Sequence, residues 1–300
     1  MALPYGTRVH VIINPAAGQD QPLLGKLNSV FQPEDVDWEV FITKKAGDAR
    51  RLAQEAVAAG VDVIAVHGGD GTVAEVVNGM IGSDVPLAIL PGGTANVLAA
   101  ELGIPSDPAQ AAALFCGGST LRTIDIGQID QHYFVQRAGI GLEAQIVVST
   151  DREAKNRLGW LAYALSAFQA LSEPALVHYS FTLDGLKVET EGFACLIANT
   201  GNVGLPGFSL APTIDISDGL LDVVVIHQTN LASLLSLAAS VVSGSENLNS
   251  IQHWQIREAT IETQPPQVVH SDGEVIGETP IMVKVLPQAL RVIVPEVAQV

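Results

Sequence analysis

The residue in this chain best placed to do chemistry is Asp70, a lone carboxylate inside the glycine cluster Gly68-Gly69-Asp70-Gly71-Thr72. Glycines let the backbone come close to a bulky anion, and the helix expected to follow offers unpaired N–H groups and the positive end of its dipole. A carboxylate beside phosphate implies Mg²⁺ between the two. Three further turns of small or polar residues follow apolar runs. They are Asn14-Pro15-Ala16-Ala17-Gly18, Thr43-Lys44-Lys45-Ala46-Gly47-Asp48-Ala49 and Pro91-Gly92-Gly93-Thr94-Ala95-Asn96.

The elements that must position these turns are legible around them. VDVIAV, from Val61, is short and β-branched, which suits a strand buried on both faces. Val73, Val76, Val77 and Met80 then recur at helical spacing. The cluster between them is too glycine-rich to belong to either element. Strands are expected at Arg8 to Ile13, Trp38 to Ile42 and Val85 to Leu90. Helices are expected around Leu23 to Phe31, through Leu52, Ala53, Ala56 and Val57, and after Asn96. A βαβα series of this kind predicts a doubly wound parallel sheet, whose ligands sit at the carboxyl ends of the strands.

Near Leu121 the texture changes to strands joined by turns, among them HYFVQRAGIG, LVHYSFTLDG, GLLDVVVIHQ, PIMVKVLP and LRVIVP. Alternation of apolar and polar residues marks antiparallel strands with one wet face. The expected organisation is an α/β domain over residues 1–122 and a β-rich sandwich over 123–286, with residues 287–300 packing back on the first domain. Helical inserts are expected at about Arg157 to Leu171 and Asn230 to Ser243. Their apolar stripes (Leu158, Leu161, Ala162, Leu165, Phe168; Leu231, Leu234, Leu235, Ala238) read first as core packing. An exposed stripe would instead guide an acyl chain or touch a membrane surface.

Composition excludes some functions. The chain has 300 residues and a net charge of −17, which argues against nucleic acid and against a broad electrostatic contact with an anionic membrane. Any membrane contact would be peripheral, transient and apolar. Cys116 and Cys195 sit in apolar surroundings and read as packing residues in a reducing compartment. No signal peptide is apparent, because Arg8 and Asn14 interrupt the first apolar run. The expected location is the cytoplasm, and a homodimer is compatible with the sequence.

Gly69-Asp70-Gly71-Thr72-Val73-Ala74 fits a dinucleotide fingerprint, but the acidic residue expected at the end of the next strand is missing, and no G-K-[ST] supplies a Walker loop. What remains is a phosphate site assembled from several strand-end turns. The order of motifs then resembles the diacylglycerol kinase catalytic domain family, in its bacterial YegS-like lipid kinase branch. The resemblance is carried by Asn14-Pro15 with Gly18, by Thr43 with Gly47-Asp48-Ala49, and by Gly68 to Thr72 with Glu75-Val76-Val77-Asn78-Gly79. Pro91-x-Gly93-Thr94-x-Asn96, Ala211-Pro212, Asp218-Gly219-Leu220-Leu221-Asp222 and Asp272-Gly273-Glu274 continue it.

The resemblance implies an ATP-dependent lipid kinase, acting on diacylglycerol or a related lipid in a cleft between the domains. It implies ATP binding at Asn14, Pro15, Ala16, Ala17, Gly18, Thr43, Gly68, Gly69, Asp70, Gly71, Thr72, Val73, Ala74, Glu75, Gly93, Thr94 and Asn96. Asp70 would hold the catalytic Mg²⁺ through water. Glu274 would be the general base for the lipid hydroxyl. Asp215, Asp218 and the Leu220 carbonyl match a structural Mg²⁺ site. The family often has Asn-Asp where this chain has Asn96-Val97, removing a carboxylate from the metal network. Two alternatives stay open: kinase action on a soluble metabolite, as in the NAD kinases that share GGDGT, and a nucleotide- or lipid-binding regulator without turnover. His67 and His270 read as packed or hydrogen-bonded histidines.

Overall fold

A computed structural model describes residues 6–17, 22–141, 176–202, 213–227 and 251–296. Gly18, Ala211-Pro212 and both expected helical inserts lie outside the described residues. The chain divides into two compact units: residues 1–124 with 288–300, and residues 125–287.

In the first unit, β1 (Arg8–Ile13), β2 (Asp37–Ile42), β3 (Val63–Gly68) and β4 (Leu87–Pro91) form a parallel sheet in the order β2-β1-β3-β4. The helices are α1 (Leu23–Phe31), α2 (Asp48–Ala59), α3 (Asp70–Met80), α4 (Val97–Glu101) and α5 (Pro108–Ala113). Every residue of β3 and β4 is buried, as expected for central parallel strands covered by helices on both faces. The stripe Val73, Val76, Val77 and Met80 is buried as its spacing predicts.

The glycine cluster is shorter as a turn than its composition suggests. Gly68 completes β3, and Asp70, Gly71 and Thr72 already form the first turn of α3, leaving Gly69 alone as the junction. The first turn of a helix lacks intrahelical acceptors for its N–H groups in any case, so glycine there costs less helix stability than glycine in the interior. The helix expected after Asn96 is α4, which is short, with five residues, and is followed by α5.

The second unit is a β-sandwich. One sheet is antiparallel, in the order β12 (Ile251–Ile256), β11 (Leu221–Ile226), β10 (Ala194–Ala198), β7 (Arg137–Gly141), β14 (Val268–Ser271) and β15 (Glu274–Glu278). The other carries β8 (Val177–Leu183), β9 (Leu186–Gly192), β13 (Glu258–Gln264) and the start of β16 (Ile281–Pro295). β5 (Ser119–Ile129) and its short partner β6 (His132–Phe134) complete the set. The core between the sheets gathers Phe134, Ile140, Tyr179, Phe181, Ile197, Val223, Ile261 and Val283. The expected strands PIMVKVLP and LRVIVP are one strand, β16, which leaves the second unit at Pro287 and enters the first at Gln288. β12 escaped the sequence reading because Gln252, His253 and Gln255 interrupt its apolar pattern.

Candidate functional site

In the first unit the four expected turns gather at the carboxyl ends of β1, β2, β3 and β4 and are bonded to one another. The Asn14 amide donates to the His67 carbonyl (2.9 Å), and the Asn14 carboxamide Nδ2 donates to Thr72 Oγ1 (2.9 Å). Asn14 Oδ1 accepts the Ala16 amide (3.0 Å), which closes the Asn14-Pro15-Ala16-Ala17 turn. The Thr43 amide donates to the Ile13 carbonyl (2.9 Å). The Gly92 amide donates to the Gly68 carbonyl (3.0 Å), which links the two glycine turns.

Close backbone contact explains the second glycine turn. A Cβ on Gly93 would lie 2.6 Å from the Gly69 Cα, a backbone atom that cannot swing away. Asn96 folds the same turn on itself, since its Oδ1 accepts the Gly93 amide and its Nδ2 donates to the Gly93 carbonyl, each at 2.8 Å. Gly71, by contrast, opens onto free space. Gly71 is exposed in the first turn of α3, whereas Thr72 beside it is buried.

Asp70 is half-buried at this junction, and its Oδ1 accepts the Val97 amide at 2.7 Å. The carboxylate thus ties the start of α3 to the start of α4. A carboxylate is the kind of oxygen donor that a hydrated Mg²⁺ takes. Among the described residues no group of three or more His, Cys, Asp or Glu side chains is arranged around a metal position.

Several other candidates are engaged in packing or in hydrogen bonds. Val73 and Ala74 are buried in α3, and the Val73 amide is already bonded to the Gly69 carbonyl. Glu75 Oε2 accepts the Gly47 amide (3.0 Å) and the Ala49 amide (3.1 Å), so it caps α2 from a neighbouring helix. Asp48 folds the loop before it by accepting the Lys44 and Lys45 amides. The Lys44 amide, with help from Lys45 and Arg51, holds the Asp48 carboxyl below its ordinary value against the effect of burial. Thr94 is exposed at the tip of its turn. His67 is buried with its Nδ1–H donating to the Leu90 carbonyl (3.0 Å), and burial lowers its pKa. Its ring would meet a Cβ at Gly92 at 2.7 Å, so this histidine packs against the turn.

In the second unit Glu274 is exposed as the first residue of β15, directly after the Asp272-Gly273 turn. Asp215 Oδ1 accepts the Ser217 amide and Asp218 Oδ1 the Leu220 amide, both at 2.9 Å. The Asp218 carboxyl is pushed up, first by partial removal from water and then by the carboxylates of Asp222, Asp215 and Asp125. This accumulation of negative charge is the chemistry a cation would relieve. Asp125, which no sequence motif marks, is fully buried and accepts the Gly219 amide at 2.7 Å.

Comparison with known proteins gives this arrangement a class. Residues 8–129 match the diacylglycerol kinase catalytic domain, and residues 137–294 match the YegS C-terminal NAD kinase beta sandwich-like domain. The chain belongs to the family of diacylglycerol kinases and YegS-like lipid kinases. It is 30% identical to a diacylglycerol kinase of Bacillus subtilis, over 96% of this chain and 97% of that one. It is 32% identical to a Pseudomonas aeruginosa protein named probable lipid kinase YegS-like, over 85% and 84% of the two chains. Among solved structures, a diacylglycerol kinase from Bacillus anthracis superposes with a TM-score of 0.77 at 28% identity, covering 98% of each chain.

Proposed function

We propose that the protein transfers the γ-phosphoryl group of ATP to the hydroxyl of diacylglycerol or a related lipid. The observation that carries this reading is the set of cross-bonded turns at the carboxyl ends of β1 to β4, which puts a half-buried carboxylate, Asp70, at the first turn of α3. The nucleotide phosphates lie against Gly69 to Thr72 and the Asn14 and Thr43 turns, with Thr94 at the rim. Asp70 would help hold Mg²⁺, which would supply neutralisation of charge on the phosphate oxygens. Glu274 accepts the proton of the lipid hydroxyl. The hydroxyl oxygen forms the new bond to the γ-phosphorus, the bond from that phosphorus to the bridging oxygen breaks, and ADP leaves. Asp215, Asp218 and the Leu220 carbonyl would hold a second, structural Mg²⁺ in the sandwich.

The test is product analysis by mass spectrometry after incubating the purified protein with ATP, Mg²⁺ and diacylglycerol in mixed micelles, with NAD offered in parallel. Phosphatidic acid is the expected product. Asp70→Asn and Glu274→Gln should each lower its rate by about a hundredfold or more. Phosphorylation of NAD alone, or nucleotide binding with no transfer to lipid, would overturn the reading.

A further inference from the structure

Glu274 stands at the end of a hairpin that the sheet itself holds weakly. Among the described residues β15 is an edge strand whose one partner is β14. The pairing is irregular, with Val269 opposite Gly277 and His270 opposite Val275, so Ile276 is an extra residue. Such a bulge bends the strand and raises its local twist. β14 in turn pairs with β7 only over Val269, His270 and Ser271. The connection is a two-residue turn, with Asp272 at φ 45° and Gly273 at φ 92°. Two positive φ values in succession define the tight turn that matches the strand twist.

Asp272 ties this turn down over a long sequence distance. Its Oδ2 accepts the Val135 amide (2.7 Å), and its Oδ1 accepts the Gln136 amide (3.0 Å) and the Arg137 amide (3.1 Å). Its own amide donates to the Arg137 carbonyl (3.0 Å). The receiving segment is itself fixed from its other side. The Gln136 carbonyl accepts the Asn199 and Thr200 amides, and Asn199 Nδ2 donates to the Val135 carbonyl (2.7 Å). Three consecutive amides at the start of β7 therefore depend on one carboxylate two residues before Glu274, and buried amides without partners are costly.

We infer that Asp272 is a positioning residue for the reaction, its carboxylate stapling the β14–β15 turn to Val135, Gln136 and Arg137 so that Glu274 is held at a fixed place. The inference rests on the reading of Glu274 as the base. Asp272→Asn keeps the size of the side chain but replaces one acceptor oxygen with a donor, which faces N–H groups instead of receiving them.

The test compares Asp272→Asn, Asp272→Ala and Glu274→Gln in the full chain, using ATP and diacylglycerol in mixed micelles together with amide hydrogen exchange. Both Asp272 variants should lose exchange protection at Val135, Gln136 and Arg137 and around the turn, while β8 and β13 keep theirs. Their kcat should fall by about ten- to a hundredfold, with the KM for ATP within about twofold of wild type, the signature of a displaced reacting group. Unchanged kcat in Asp272→Asn beside an inactive Glu274→Gln would overturn the staple and leave the base assignment standing. Full activity in Glu274→Gln would instead overturn the base assignment, and with it the catalytic role of Asp272. Unchanged protection at Val135 to Arg137 would overturn the staple whatever the activity.

Discussion

At the scale of single residues, Gly79 and Gly93 of the first unit stand where another backbone comes too close for a Cβ. At Gly93 the obstacle at 2.6 Å is the Gly69 Cα and not the end of a flexible side chain. Gly93→Ala should therefore force the two glycine turns apart, destabilise the fold by about 1–3 kcal/mol, and abolish the rise in melting temperature expected of the wild type with ATP and Mg²⁺. Thermal melts with and without nucleotide check both effects. The two buried histidines make a second, opposite kind of residue-scale statement, about pH. Burial lowers the pKa of His67, partly countered by its bond to the Leu90 carbonyl, and burial lowers that of His270, whose buried ring nitrogens have no hydrogen-bond partner among the described residues. The unfolded chain takes up these protons near its ordinary value of 6.5, whereas the folded chain resists them until lower pH. Their contribution is thus fully present above that value and is lost as pH falls through it toward the folded values. Denaturation midpoints should drop between about pH 7.5 and pH 5.5, and His67→Gln with His270→Gln should flatten that slope.

At the scale of elements, Glu75 shows how one helix fixes the start of another. By accepting the Gly47 and Ala49 amides it caps α2 from α3, and Gly79 lets the two helices approach, since a Cβ there would lie 2.4 Å from the Arg50 carbonyl oxygen. Glu75→Ala should cost about 1–2 kcal/mol, the usual loss for a helix cap, and should raise the KM for ATP because the Thr43 loop precedes that cap. Urea denaturation and initial-rate kinetics measure the two. Such elements were legible wherever the signal was local. β1 and α1 have the bounds that the apolar runs predict, and the α3 stripe is buried as its spacing requires. The extent of the glycine turn was not legible, because glycine content reports conformational freedom and cannot say that the first helical turn has already begun at Asp70. The bond from Asp70 to the Val97 amide and the grip of Asp272 on Val135 to Arg137 were also hidden. Each joins residues far apart in sequence, 27 positions in the first case and up to 137 in the second, through a geometry that only the folded chain creates.

At the scale of the whole molecule, the chain is not two consecutive folding units, because β16 supplies its later half to the first of them. Residues 288–300 belong with residues 1–124, and Val292 pairs with Leu87 at the edge of β4. Leu290, Val292, Ile293 and Val294 are all buried. Burial of each such side chain contributes about 1.5–3 kcal/mol, so four together rival the roughly 5–15 kcal/mol that stabilises a typical domain. A fragment of residues 1–124 would also leave the amide and carbonyl groups along one edge of β4 without their strand, a template for aggregation. This fragment should therefore fail to give a cooperative melt and should be prone to aggregate. Joining residues 288–296 to its end through a flexible linker long enough to reach β4 should restore a cooperative transition, and Val292→Asp in that joined fragment should remove it again. A cooperative melt from residues 1–124 alone would show that the returning strand is dispensable, and that the first unit ends where the parallel sheet's own helices do.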